Sequence, residues 1–162
     1  MTVDPAVLDE LTRLRARLPE LCASVLATAD GLVVAHDARD LEPDGLAALA
    51  AAHHALARRF AHTVGHGELR ESVVQCDRGY ISSYAAGSGA LLTLVTAGAA
   101  NLAMVHLEAR RCVHRLQPLL DARTHHQRPE VPAQPNPAGA APPLARRVPM
   151  ATMPGSARRA AG

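Results

Sequence analysis

Leu8, Leu11, Leu14 and Leu18 recur at helical spacing behind an Asp4-Pro5 pair, predicting a first helix over residues 5–18 with Asp4 as N-cap and Pro5 at its first position. Pro19 stops it. Leu21 to Ala29 is a short apolar run that reads as a strand. Asp30-Gly31 then predicts a two-residue hairpin turn, with Leu32 to His36 as the return strand.

A second helix is expected from Pro43 to about Val64, with Glu42 or Asp40 near its start and Gly65 as terminator. Leu46, Leu49, Leu56, Phe60 and Val64 make one stripe, interrupted by His53. Behind them Ala47, Ala48, Ala51, Ala52 and Ala55 make a surface of methyl groups. A helix apolar on two sides needs two partners. One is the chain's own sheet. Alanine lets backbones approach closely, so the methyl surface is assigned to the same helix of a second copy.

Three further strands follow, Glu68 to Cys76, Tyr80 to Ala86 and Ala90 to Thr96, joined by turns at Asp77-Arg78-Gly79 and Gly87-Ser88-Gly89. The first lacks the clean alternation of a solvated edge, since Val73 and Val74 are adjacent, and an open edge there invites another chain. Asn101 caps a last helix with Leu102, Val105, Ala109, Cys112, Leu116 and Leu119 along one stripe. Arg110, Arg111 and Arg115 are expected off that stripe, toward solvent. The order helix, two strands, helix, three strands, helix predicts an α+β fold on a five-stranded antiparallel sheet, not a wound parallel sheet.

The composition changes at Ala122. The last 41 residues hold eight of the twelve prolines, six arginines and one acid, Glu130. Residues 1–121 carry 11 Arg against 14 Asp and Glu, net −3, and residues 122–162 carry 6 against 1, net +5. The expected division is thus a folded, acidic domain over 1–121 and a disordered basic tail over 122–162. Arg146-Arg147 and Arg158-Arg159 offer contacts to an anionic surface. With no aromatics between them, solvation of the tail is favoured and no nucleic acid is expected. A nucleic-acid reading would require salt-sensitive binding by the isolated tail.

All 17 basic residues are arginine. Without lysine the chain has no Schiff-base nucleophile, no anchor for pyridoxal phosphate and no P-loop clamp. Cys22, Cys76 and Cys112 are odd in number and widely spaced, which reads as reduced thiols in the cytosol. No run approaches the ~18 apolar residues of a membrane span, and the start of the chain lacks a signal region. A cytoplasmic location is expected, with membrane association only through partners.

Candidate chemistry is thin. His62 and His66 have helical ligand spacing, with Glu68 and Glu71 downstream, but no H-E-x-x-H word or four-ligand set exists, so no metal or other cofactor is expected. His53 is read as a partly buried, hydrogen-bonded residue, with His54 facing elsewhere. Ser82, Ser83 and Ser88 lack the strand-to-helix elbow of an activated nucleophile. Arg78 stands at the tip of the Asp77–Gly79 turn, where arginines are usually solvated. A small-molecule sensor domain is the alternative function, though alanine and leucine fill the space a ligand would need.

The words ADGLVVA (29–35), ALARRFA (55–61), GELRESVVQ (67–75), GYISSYAAGSGALLTLVT (79–96) and ANLAMVHLEARR (100–111) come in a definite order. In that order the chain resembles the Roadblock/dynein light chain family over about residues 5–121. The resemblance implies a profilin-like sandwich in which two copies pair through their second helices and third strands into one ten-stranded sheet. It also implies binding of Ras-like small GTPases as a regulator or scaffold without enzymatic activity of its own. Bacterial members similar to this chain act as gliding-motility-type activators or sit in conservon-type operons beside a sensor kinase. The contact residues expected in the homodimer are Ala48, Ala51, Ala52, Ala55, Arg59, Arg70, Ser72 and Val74, and Arg78 is the expected contact with the GTPase. The basic tail departs from the family pattern.

Overall fold

The structure, a computed structural model, describes residues 4–127 apart from Ser88. Its elements are α1 (Pro5–Arg17), β1 (Leu21–Thr28), β2 (Val33–Ala38), α2 (Pro43–Thr63), β3 (Glu71–Cys76), β4 (Gly79–Ala86), β5 (Ala90–Ala97) and α3 (Leu102–Gln127). That is the order the sequence predicts, on one five-stranded antiparallel sheet arranged β2-β1-β5-β4-β3. The tail expected from residue 122 is entered by α3, which continues to Gln127; beyond that, the tail lies outside the described residues. None of the described helices is long and apolar enough to cross a membrane.

Each helix begins as its sequence dictates. The Asp4 carboxylate accepts from the Ala6 amide at 2.9 Å, and Glu42 accepts from the amides of Asp44 and Gly45. Asn101 accepts from Ala103 and Met104, so all three starts have their free amides capped by a side chain.

The helices α1 and α3 pack together over one face of the sheet. The main core lies there, built from Val7, Leu11, Leu14, Leu18, Leu26, Leu92, Leu94, Val105, Cys112 and Leu116. Two details differ from expectation. The buried stripe of α1 starts at Val7, and Leu8 is exposed. On α3, Arg115 and Arg111 are not simply solvated, because they reach the buried carboxylates of Glu10 (2.5 Å) and Glu108 (2.8 Å).

The opposite face carries α2, which lies over β1, β2 and β5. Here the expected orientation holds only in part: Leu46 packs inward against the sheet and Ala48, Ala52 and Ala55 face outward as expected, but the rest is turned over. The residues under α2 are the small ones, Ala47, Ala50 and Ala51, packed toward Val25 and Ala27, whereas Leu49, Leu56 and Phe60 face outward. The cause is the β1–β2 turn. Thr28 N–H donates to the Leu32 carbonyl, closing a three-residue loop Ala29-Asp30-Gly31, not the expected two-residue turn, with Gly31 at φ +84°. A Cβ on Gly31 would lie 3.0 Å from the Ala48 Cα and 3.5 Å from the Ala51 Cβ, so the backbone of α2 rides close against this turn, where its facing residues are small.

At the other end of the sheet Cys76 pairs with Gly79, leaving Asp77-Arg78 as a two-residue turn. A Cβ on Gly79 would lie 2.0 Å from the Thr96 carbonyl oxygen, so β4 begins at a position only glycine can fill. The strand expected over 68–76 starts at Glu71, and residues 68–70 lead into it.

Candidate interaction surface

Leu49, Leu56 and Phe60 are 72%, 70% and 68% exposed. With His53, also exposed, they fall at spacings of four, three and four along α2, the period of a seam between two helices. Val64 extends the row, 45% exposed. The expectation of a partly buried, hydrogen-bonded His53 is therefore corrected: among the described residues it is exposed. His54 turns to the side instead, into a narrow groove with Ala55, Arg58, Glu68, Leu69 and Ala85. Its buried Nδ1 has no partner, and desolvation, then the nearby charge of Arg58, pushes its pKa down.

The residues expected at a dimer contact divide between inside and outside. Ala51 is buried against the chain's own Gly31 turn, whereas Ala48, Ala52, Ala55 and Arg59 are exposed beside the leucine row. Arg70, Ser72 and Val74 belong to β3 and the residue before it, and β3 pairs only with β4. Ser72 and Val74 share the α2 face with Ser83 and Ile81, and the Ser72 hydroxyl is buried without a partner.

On its other face β3 is tied to α3. Arg110 donates two hydrogen bonds to Glu71, at 2.9 and 2.6 Å, and these hold the Glu71 carboxyl below the usual carboxylate range. His106 stands 3.8 Å from the same carboxylate, and its Nδ1 is 2.9 Å from the Tyr84 hydroxyl. Burial pushes that phenol up to about 12. Sequence reasoning missed this network. Its signal was the position of Arg110 and His106 one turn apart on α3, unreadable without knowing that β3 lies beside them.

Among the described residues, groups suited to chemistry do not converge. Ser82 and Ser83 are buried, and Ser83 is spent on a 3.2 Å bond with Thr93; Ser88 lies outside the described residues. His62 pairs with Glu68 at 3.3 Å, and no group of three or more His, Cys, Asp or Glu suited to a metal occurs among the described residues. Arg78 is exposed at its turn and lines a shallow cleft with Cys22, Arg39, Leu41, Cys76 and Ile81.

The Roadblock/LC7 domain family model matches residues 7–96, from the buried face of α1 to the end of β5. The chain belongs to the Roadblock/LC7 family. A Roadblock/LC7 domain from Streptomyces avermitilis is 30% identical over 69% of this chain and 95% of its own, with a TM-score of 0.66. The gliding protein MglB of Thermus thermophilus is 26% identical, covering 72% of this chain and 90% of its own at the same TM-score. An MglB described in a tetrameric arrangement is 25% identical, over 75% and 95%, at 0.69. No curated protein matches. Among the described residues, the row on α2 is exposed and β3 is one of the two edge strands of the sheet, β2 being the other.

Proposed function

We propose that this chain is a non-enzymatic regulator or scaffold of a bacterial signalling system, one that pairs with a second copy of itself and binds a Ras-like small GTPase. The observation that carries the reading is the outward row Leu49, Leu56 and Phe60, on a chain whose strand β3 is an edge of the sheet. Covering each of these side chains is worth about 1.5–3 kcal/mol, and rows of this period are what helix pairs bury. The Roadblock/LC7 membership, the likeness to MglB and the burial of Ser82 and Ser83 all favour binding over catalysis.

Action on a GTPase requires different affinity for its nucleotide states, because equal affinity shifts no population. Arg78 is the side chain proposed to contact it. The test is capture of small GTPases of the source cell, loaded with GTP or GDP, on the immobilised full chain. Capture that depends on nucleotide is expected; capture of neither form removes the GTPase from the proposal. A sensor kinase encoded in the same operon is proposed as a further partner, and the basic tail as a contact for an anionic surface.

A further inference from the structure

Ala51, His54, Ala55 and Arg58 follow one another at helical spacings of three and four, so they share one flank of α2. The row Leu49, His53, Leu56 and Phe60 occupies the opposite flank. Between the first flank, the strands β4 and β5 and the residues that lead into β3 lies a groove of about 240 Å³. Leu69, Ala85 and Leu91 give it apolar walls, and Arg58 and Glu68 are its charged groups. At ~30 Å³ per water the space holds about eight waters, or one molecule of about six to eight non-hydrogen atoms.

Two polar groups at this groove are unspent. Among the described residues the buried His54 Nδ1 has no hydrogen-bond partner, and Arg58 takes part in no ion pair. Glu68, by contrast, is engaged by His62 at 3.3 Å. An orphaned buried nitrogen keeps its desolvation cost, and the neighbouring guanidinium repels a cationic occupant. A single carboxylate satisfies both groups: the planar fork of Arg58 matches it, and the neutral imidazole, in the tautomer with hydrogen on Nδ1, donates to it. A dianion suits the groove less well, because its remaining oxygens would meet apolar walls and the Glu68 carboxylate. We infer that the groove binds a small monocarboxylate with a short aliphatic chain, its anionic end between His54 and Arg58 and its chain against Leu69, Ala85 and Leu91. The outward row lies on the other flank of α2, so the site is complete in one copy of the chain.

Isovalerate is the probe, and isovaleramide, of the same shape without the charge, is its control. Both are titrated into the full chain at neutral pH and followed by calorimetry and by the imidazole signals of His54 in NMR, which His54→Gln assigns by their loss. Isovalerate is expected to saturate one site per chain with a Kd on the order of 1 mM and to move the His54 signals, and isovaleramide to bind at least ~10-fold more weakly. Arg58→Gln should weaken isovalerate by roughly tenfold or more, and His54→Leu by about threefold to tenfold. Neither variant should lower the Tm of the unliganded chain, since Arg58 is exposed and His54→Leu removes an orphaned polar group. L-Leucine carries the same chain with an added ammonium and should bind no more tightly than isovalerate. Tighter binding of leucine that Glu68→Gln abolishes overturns the ligand class in favour of an amino acid. Isovalerate that moves the His54 signals no more than isovaleramide does, or that binds Arg58→Gln as well as the native chain, overturns the site.

Discussion

Glu10 and Glu108 sit almost wholly inside the seam between α1 and α3, 8% and 4% exposed. Glu10 is held by Arg13 on its own helix and Arg115 on the other; Glu108 by Arg111 on its own and Arg17 across the seam. A buried carboxylate stripped of its partner keeps its desolvation cost, whereas an exposed arginine contributes little. Arg115→Ala is thus expected to destabilise the domain by about 1.5–3 kcal/mol, and Arg13→Ala by less than ~1 kcal/mol, in denaturant melts. Glu71 gives a prediction in pH. Its carboxyl is depressed by the Arg110 hydrogen bonds, so the stabilisation is present above the ordinary carboxylate pKa of ~4.3 and is lost as pH falls through the folded value. In thermal melts from neutral pH down to the acid range, Arg110→Gln should remove that part of the acid loss.

At the scale of elements, α2 shows what periodicity can and cannot decide. The alternation of leucine and alanine surfaces was legible, as were the caps, the strand order in sequence and the open edge at β3. Which surface of α2 faces the sheet was not, because hydrophobicity ranks leucine above alanine whereas the close approach of the helix backbone to the Gly31 turn is met by the small residues Ala47 and Ala51. The carboxylates were hidden for a similar reason. Arginines at solvent spacing on α3 look free until the fold brings Glu10 and Glu71 beside them. The orientation of α2 separates two substitutions that its sequence alone would treat alike. Ala51→Arg pushes a charge under the helix and should cost on the order of 3 kcal/mol of domain stability. Phe60→Asp acts on an exposed position and should leave the isolated fold within ~0.5 kcal/mol. Circular dichroism melts paired with sedimentation distinguish them: the first lowers Tm, the second lowers only the association state. An unchanged association state for Phe60→Asp would move the contact off the leucine row.

For the whole molecule, the outward row of α2 and the edge strand β3 adjoin different parts of the sheet, α2 over β1, β2 and β5, and β3 at the far edge. A second copy joined along β3 would extend the sheet and bring its own α2 row over the same face. Helix pairing and strand pairing are then one event, and neither is satisfied alone. An association of this kind is coupled to folding by mass action, since the paired state binds nothing that the unfolded chain can offer. The Tm of the native chain should therefore rise with protein concentration, and Phe60→Asp should flatten that dependence while keeping the low-concentration Tm. Val73→Asp, which strikes only the strand edge, should flatten it equally if the contacts form together. A variant that loses the concentration dependence only when both are changed would show two separable interfaces in place of one.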